Sequence, residues 1–390
     1  MDFELSEEQK SIIDNADRIA RKFDRAYWLE CAKAKRFTSE LWDELGKAGY
    51  LGITVPEEYG GAGLGMFELS LLQERLAEHG VAVLFFVVNQ GLSIPALVRH
   101  GTDEQKSRLL PAIASGEKRF CFAITEPNAG TNTFKIESIA RRDGDDYILN
   151  GNKLFISGIN QAHHVLVVAR TQSYQEVGGQ TQRKEGLSLF IVDTDSKGLS
   201  YKPMDTMLLN PEGQFFVYFD NVRIPKENLL GKEGKGIRVL FDGLNPERIM
   251  AASMACGSGR WMIRRAVEYA NQRVIFDKPI GAYQALQHPL AEAMAQIEVG
   301  SLMTRRAAWL QDRGDMQAGE ASNMAKLVAA DASLKAANAA LQCFGGYGFT
   351  ESQDMLSSFI GARLGTVAPI NREMILNFIG EHTLGMPKSY

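Results

Sequence analysis

The sequence predicts an α+β fold made of three successive parts: helices, then strands, then helices. Apolar residues recur at helical spacing in the first and last parts of the 390-residue chain. Between them lie short apolar, β-branched runs bounded by turn residues, a pattern typical of strands. Because helices and strands are segregated, this order favours α+β over alternating βαβ units. We expect the three parts to span residues 1–118, 119–235 and 236–390.

The first part is predicted to be helical. Ser6 and Gln9 are spaced as a capping box at the start of the first amphipathic helix. Further helices are predicted over residues 39–48, 66–79 and 103–115. The segment 56–65, which reads PEEYGGAGLG, interrupts them because proline fixes φ and the glycines allow positive φ.

The second part is predicted to consist of short strands. Asn150 and Gly151 favour a type I′ turn, so residues 147–156 are predicted to form a hairpin around that dipeptide. Further strands are predicted over residues 164–170, 187–193 and 215–219, the last of which is expected to end in a turn at 220–221.

The third part is predicted to return to helices, over residues 250–273, 284–311 and 319–344. Glu247 precedes the first of these predicted helices, and Pro246 is placed near its first turn. A glutamate there usually complements the helix dipole from the surface. A buried general base beside Arg248 is the alternative, and the residues alone leave both open.

Composition and motifs exclude several classes of protein. A net charge of −4 argues against nucleic-acid binding, and the longest apolar run, 81–88, is far shorter than a membrane span. The acidic, polar start is unlike a targeting peptide. Four cysteines without a CxxC pair fit a reducing cytoplasm, and the histidines lack metal-ligand spacing, so no metal is expected. Neither GxSxG nor a GxGxxG following a strand is present.

Three segments favour a ligand with an anionic group or a flat ring. TEPNAGTNT at 125–133 offers hydroxyls and backbone N–H groups around Gly130. Arg273 lies near a helix end and could hold a phosphate, and QCFGGYG at 342–348 lets backbone approach one closely. Taken alone, the first segment is equally an ordinary polar turn, Arg273 would more often be a solvated cation at a helix end, and the third segment could be a helix C-cap. Together they suggest one large cofactor.

Motifs along nearly the whole chain resemble those of the acyl-CoA dehydrogenase family. They are PEEYGGAG from 56, GTDEQKSRLLPAIASGE at 101–117, TEPNAGTNT at 125–133, NGNKLFISG at 150–158, FDNVRIPKENLLG at 219–231, RVIFDKPIGAYQ at 273–284 and QCFGGYGF at 342–349. The resemblance implies an N-terminal helical domain, a middle β-barrel domain and a C-terminal four-helix bundle. It also implies bound FAD and a homodimer or homotetramer.

The resemblance implies a set of site residues. Phe122, Ile124, Thr125, Gly130 and Thr131 match residues that meet the flavin ring and ribityl chain, and Phe155 and Ser157 match positions behind the flavin. Arg273, Phe276, Gln284, Gln342, Gly345 and Gly346 match residues that complete the FAD site across a subunit boundary, and Asn371 joins the cofactor set. Thr131, Asn245 and Arg248 match substrate-binding positions.

The implied reaction is α,β-dehydrogenation of an acyl-CoA to a trans-2-enoyl-CoA. A base takes the α-proton, hydride leaves Cβ for flavin N5, and an electron-transfer flavoprotein reoxidises the cofactor, as in the β-oxidation of fatty acids. Most family members carry the base in a late loop, where this sequence has VAPIN at 367–371 with Pro369 at the glutamate position. Glu247 instead matches the placement in isovaleryl-CoA and long-chain enzymes, so the resemblance assigns it as the base.

Some positions depart from the family pattern. Proline lacks the N–H that usually polarises the thioester at that loop position, and losing such a donor costs on the order of 2.7–4 kcal/mol. Asn132 replaces an aspartate, and residues 360–361 replace an Arg-Asp pair. An enoyl-CoA reductase, an oxygen-using flavoenzyme and a non-catalytic binding protein of the same fold are therefore the alternatives. Acyl length, branching, the choice between dimer and tetramer, and the electron acceptor are left open.

Overall fold

The structure, a computed structural model, describes residues 4–388, and its first part is helical. Ser6 caps the first helix through the predicted capping box, with its hydroxyl accepting from the N–H of Gln9 at 3.2 Å. The helices of this part are α1 (Glu7–Lys22), α2 (Arg25–Lys33), α3 (Ser39–Lys47), α4 (Met66–Glu78), α5 (Leu84–Phe86), α6 (Ile94–His100) and α7 (Asp103–Ala114). A π-helical segment, Val87–Ser93, joins α5 to α6.

The middle part is one eight-stranded sheet. Its strands are β1 (Phe120–Ala123), β2 (Ile139–Asp143), β3 (Asp146–Ser157), β4 (His164–Arg170), β5 (Leu187–Asp193), β6 (Leu199–Pro203), β7 (Gln214–Ile224) and β8 (Leu229–Leu230). The hydrogen-bonded order is β6-β7-β3-β2-β4-β5-β8, and β1 pairs in parallel with β4. Strands β4 and β5 have the bounds that their sequence pattern predicts.

The last part is a bundle of long helices. These are α8 (Gly236–Gln272), α9 (Gln284–Asp312), α10 (Ala318–Phe344), α11 (Met355–Gly365) and α12 (Arg372–Phe378), with the short strands β9 (Val274–Ile275) and β10 (Lys278–Pro279) between α8 and α9. Helices α8, α9 and α10 pack against one another, α11 packs against α8 and α10, and α4 packs against α8. Helices, sheet and helices thus follow in the predicted order, which confirms the α+β class.

Three local predictions were wrong. Asn150 and Gly151 do not turn the chain: β3 continues through them, because the strand keeps pairing with β7 beyond a register shift next to Gly151. Strand β7 likewise runs through residues 220–221, where Asn221 takes a φ of 52° inside the strand. Helix α8 begins at Gly236, not at 250, so Pro246 and Glu247 lie within it.

Within residues 4–388, no helix is long and apolar enough to cross a membrane. All four cysteines are buried as free thiols.

Candidate active site

The segment that follows β1 is tied to the middle of β3. The carbonyl of Thr125 accepts from the N–H of Leu154 at 3.0 Å, and the carbonyl of Ile124 accepts from Lys153 Nζ at 3.0 Å. Phe122 is buried in β1, whereas Gly130 and Thr131 are exposed. A Cβ added to Gly130 would meet nothing within 4 Å, so open space lies beside its backbone.

Phe155 is held in an unusual backbone conformation on β3. Its φ is 58°, and it lies within a register shift between Lys153 and Ile156. Such bulges re-aim side chains and are common next to functional sites. The Phe155 ring is 58% exposed, which is unusual for a large aromatic side chain on a well-formed strand. We call Phe122, Ile124, Thr125, Phe155 and Ser157 the inner wall.

Ser157 ends β3 and is paired across the sheet with Gln214, the first residue of β7. The Ser157 hydroxyl lies 2.9 Å from Gln214 Nε2 and 3.1 Å from Gln214 Oε1. Both side chains are buried, so the hydroxyl has a fixed partner.

A buried ion pair lies beneath the inner wall. Lys153 Nζ donates to Glu126 Oε1 at 2.8 Å, and the Glu126 carboxylate also accepts from the N–H groups of Glu137 and Ser138. Burial alone would raise the pKa of Glu126, but Lys153 and the backbone donors outweigh it and lower that pKa. Since Lys153 also donates to the carbonyl of Ile124, the pair fixes the chain that leads to Thr125.

Glu247 lies in α8 and is buried. Burial raises its pKa from 4.5 to about 7, against the opposing charges of Arg248 and Lys326. The π-helical segment presses against its backbone: a Cβ added to Gly91 would lie 3.0 Å from Glu247 Cα. Within residues 4–388 no hydrogen bond reaches the Glu247 carboxylate, so this group can take up or release a proton near neutral pH.

Lys326 was not expected from the sequence, yet its charge acts on Glu247 and its side chain binds the late loop. It is buried in α10, and its Nζ donates to the carbonyl of Ile370 at 2.5 Å. Burial and the charge of Arg248 lower the pKa of Lys326 to about 8. A lysine inside the alanine-rich apolar run of α10 is the signal that could have identified it.

The late loop also reaches the middle part of the chain. Asn371 Nδ2 donates to Thr131 Oγ1 at 3.2 Å, while Asn371 Oδ1 caps α12 by accepting from the N–H of Met374. On α8, Arg248 Nη1 donates to Asn245 Oδ1 at 3.3 Å. The structure thus ties Asn371 to Thr131, and it ties Asn245 to Arg248 one turn further along α8, on either side of Glu247 in the chain.

The remaining predicted cofactor residues lie on a separate, exposed surface, which we call the outer face. It consists of Arg273, Phe276, Gln284, Gln342, Gly345 and Gly346. Arg273, Gln342, Gly345 and Gly346 line an open groove at the ends of α8 and α10. Phe276 is 87% exposed with a φ of 52°. Among the described residues of one chain, no hydrogen bond joins the outer face to the inner wall.

The chemistry of the two surfaces fits a dinucleotide with a flat ring. The inner wall offers an exposed aromatic ring, a buried hydroxyl and open backbone at Gly130. The outer face offers a guanidinium and glycines beside which a Cβ would meet nothing within 4 Å. Among residues 4–388, no group of three or more His, Cys, Asp or Glu is placed to hold a metal ion.

Three family models match consecutive parts of the chain. Residues 6–117 match the acyl-CoA dehydrogenase N-terminal domain, 121–222 the middle domain and 234–384 the C-terminal domain. Acyl-CoA dehydrogenase FadE12 of Mycobacterium tuberculosis is 46% identical over 386 residues, which is 99% of this chain and 98% of that protein.

Two further relatives are named for different reactions, one a reduction and the other a dehydrogenation. The 3-(aryl)acrylate reductase of Clostridium sporogenes is 34% identical over 322 residues, covering 82% of this chain and 83% of that protein. The structure of butyryl-CoA dehydrogenase from Megasphaera elsdenii superposes with a TM-score of 0.91 at 30% identity, covering 98% of this chain and 100% of that chain.

Proposed function

Because the chain belongs to the acyl-CoA dehydrogenase family and is an FAD-dependent acyl-CoA dehydrogenase, we propose that Glu247 is the base of its reaction. The enzyme converts an acyl-CoA thioester to the trans-2-enoyl-CoA. One observation carries the assignment of the base: Glu247 is a buried carboxylate that receives no hydrogen bond within residues 4–388, and its pKa is raised to about 7.

Burial of Glu247 serves the proton transfer. An α-proton of a thioester is too weakly acidic for an ordinary solvated carboxylate to remove efficiently, and a base works best when its pKa is close to the working pH. Excluding water raises the pKa of Glu247 towards that value. Arg248 and Lys326 oppose the rise, so part of the carboxylate population stays ionised at neutral pH.

We propose that the flavin ring binds against the inner wall, where it would contact Phe122, Ile124, Thr125, Phe155 and Ser157. When bound, FAD accepts the hydride from Cβ of the substrate. Gly130, Thr131 and Asn371 would meet the ribityl chain, and this is supported by the hydrogen bond that joins Asn371 to Thr131. The outer face of a second subunit (Arg273, Phe276, Gln284, Gln342, Gly345 and Gly346) would complete the site, which its exposure in one chain supports.

Because Pro369 has no N–H, another group must donate to the thioester carbonyl. We assign this role to the N–H of Ile370. Within residues 4–388 that N–H has no hydrogen-bond acceptor, whereas the carbonyl of Ile370 is held by Lys326. Lys326 therefore fixes the orientation of this part of the loop. Thr131, Asn245 and Arg248 are the residues that we propose to bind the substrate.

The remaining features of the function are also proposals. Domain limits of 1–118, 119–235 and 236–390 agree with the order of helices, sheet and helices. A homodimer or homotetramer follows from the proposed sharing of the FAD site. An electron-transfer flavoprotein in the cytoplasm would be the oxidant, and fatty acid β-oxidation would be the setting.

Anaerobic titration of the FAD-loaded protein with short, branched and long acyl-CoAs tests this function. We expect one class to bleach the flavin absorption band, which would also identify the substrate class. Glu247→Gln is the matched variant: it should bind FAD normally and fail to bleach. Undiminished bleaching in that variant would overturn the assignment of Glu247.

A second function, reduction of an enoyl-CoA or related acrylate, is supported by Pro369 and by the similarity to 3-(aryl)acrylate reductase. This reading predicts that chemically reduced protein is reoxidised by an unsaturated substrate, while saturated acyl-CoAs leave the oxidised flavin unbleached. Rapid bleaching by a saturated acyl-CoA would exclude it. Fast reoxidation by dioxygen would instead indicate an oxygen-using member of the fold.

A further inference from the structure

Gln214 has no role in the proton and hydride transfers, yet it contacts Ser157 and is linked through Met204 to Phe155, two residues proposed to lie behind the flavin. Its side chain lies 2.9 Å and 3.1 Å from the Ser157 hydroxyl. Its carbonyl accepts from the N–H of Met204 at 2.7 Å, and the Met204 sulfur in turn accepts from the N–H of Phe155 at 3.4 Å. One residue therefore connects to Ser157 directly and to Phe155 through Met204.

The amide of Gln214 decides what the hydroxyl of Ser157 can do. A hydroxyl has one proton to donate and lone pairs that accept, whereas an amide has both a donor and an acceptor group. If Gln214 Nε2 donates to Ser157 Oγ, the Ser157 proton is free for another acceptor. If Gln214 Oε1 accepts that proton instead, Ser157 has none left. The shorter distance, 2.9 Å, belongs to Nε2.

The start of β7 is held firmly enough to fix this geometry. Ser157 and Gln214 face each other directly in the β3–β7 register, and both are buried. Two residues earlier, the buried Glu212 accepts from the N–H of Phe85 at 3.1 Å, which ties this end of the sheet to α5. Gly213, with a φ of 67°, makes the turn between the two side chains.

We propose that Gln214 is a positioning residue. Its Nε2 donates to the Ser157 hydroxyl, so the Ser157 proton stays available to donate to the flavin. That donation raises the reduction potential of the bound cofactor. A donor aimed at the ring stabilises the more electron-rich, reduced form. This inference rests on the FAD site proposed above. Gln214 acts through Ser157 and need not touch the substrate.

The test is the midpoint potential of the bound flavin in the full-length, FAD-loaded protein, titrated with dithionite beside a reference dye and without acyl-CoA. We expect Gln214→Met, which has similar length but no polar group, to shift the potential to more negative values. Ser157→Ala should shift it at least as far. The double variant should match Ser157→Ala, because Gln214 acts only through that hydroxyl.

Gln214→Glu provides a second variant of nearly unchanged size. A carboxylate only accepts, so it should capture the Ser157 proton and again lower the potential. Gln105→Met is the matched control, since Gln105 is a buried glutamine that binds the carbonyls of Glu227 and Leu229 instead. We expect that control to keep the wild-type potential.

An unchanged potential in Gln214→Met or Gln214→Glu would overturn the inference. The inference would also be overturned if Gln214→Met shifted the potential equally in the wild type and in the Ser157→Ala variant, because Gln214 would then act independently of Ser157. These results leave dehydrogenation untouched, since no substrate is involved. Failure of the wild-type protein to bind FAD would overturn the proposed function instead.

Discussion

Two buried glutamates, one under the sheet and one in the long helix, have opposite protonation behaviour. Glu126 is paired with Lys153 and accepts two backbone N–H groups, so its pKa is lowered despite burial. Glu247 is also buried, but Arg248 and Lys326 do not cancel the effect of burial, and its pKa rises to about 7. Burial alone therefore does not identify a base. The difference between these two glutamates comes from the Lys153 cation and the backbone donors that reach Glu126.

The largest effect is expected for Glu247→Gln. Substrate-driven flavin reduction should fall by about 10²–10⁴-fold, the usual contribution of a general base. Stopped-flow absorbance measures this rate, and FAD affinity should be unchanged. At pH 8 the variant should be at least as stable as the wild type. The raised pKa means that ionising Glu247 destabilises the folded state as pH rises through about 7, and glutamine avoids that charge.

Lys153→Met should act on stability and not on chemistry. It leaves the Glu126 carboxylate buried without its cation, and breaking such a pair costs about 3–5 kcal/mol. Urea unfolding measures the loss. Lys153→Met with Glu126→Gln, which removes both charges, is the matched control and should recover part of the stability. An equally large loss in both variants would contradict the pairing argument.

The pH dependence of the wild-type enzyme follows from Glu247. Because the base must be ionised, kcat/KM should rise with pH through about 7 and fall about tenfold per unit below it. Steady-state kinetics from pH 5.5 to 8.5 would show the limb. The absence of a limb in this pH range, or a limb that does not move in Glu247→Asp, would point to another base.

The smallest effect is a shift of that limb in Lys326→Met. Lys326 lowers the pKa of Glu247, so removing its charge should move the acid limb to higher pH. Arg306→Met, at an exposed cation elsewhere in the helical bundle, is the control and should leave the limb in place. An unmoved limb in Lys326→Met would show that Lys326 acts only on the loop, through Ile370.

The order of helices and strands was predictable because it depends on local patterns. The Ser6–Gln9 capping box and the bounds of β4 and β5 need only neighbouring residues. The Asn150–Gly151 dipeptide misled the prediction because cross-strand pairing with β7 overrides the local turn preference.

The start of α8 was missed for a related reason. Pro246 favours a first turn, but the preceding residues of the helix pack closely on the π-helical segment, where a Cβ at Gly243 would lie 3.1 Å from the carbonyl of Leu92. The roles of Lys326 and Gln214 could not be predicted, although Lys326 stands out in an apolar run, because they depend on partners 44 and 57 residues away along the chain. Such contacts are decided by packing, which sequence periodicity does not encode.

Gly91 sets how closely the π-helical segment and α8 can approach each other. A Cβ at position 91 would lie 3.0 Å from Cα and 3.3 Å from the backbone nitrogen of Glu247, so a side chain there requires one of the two segments to give way by a few tenths of an ångström. Because both contacts are with backbone atoms, this spacing holds whatever side chain residue 247 carries. The location of the base is thus set in part by a residue that has no functional group of its own.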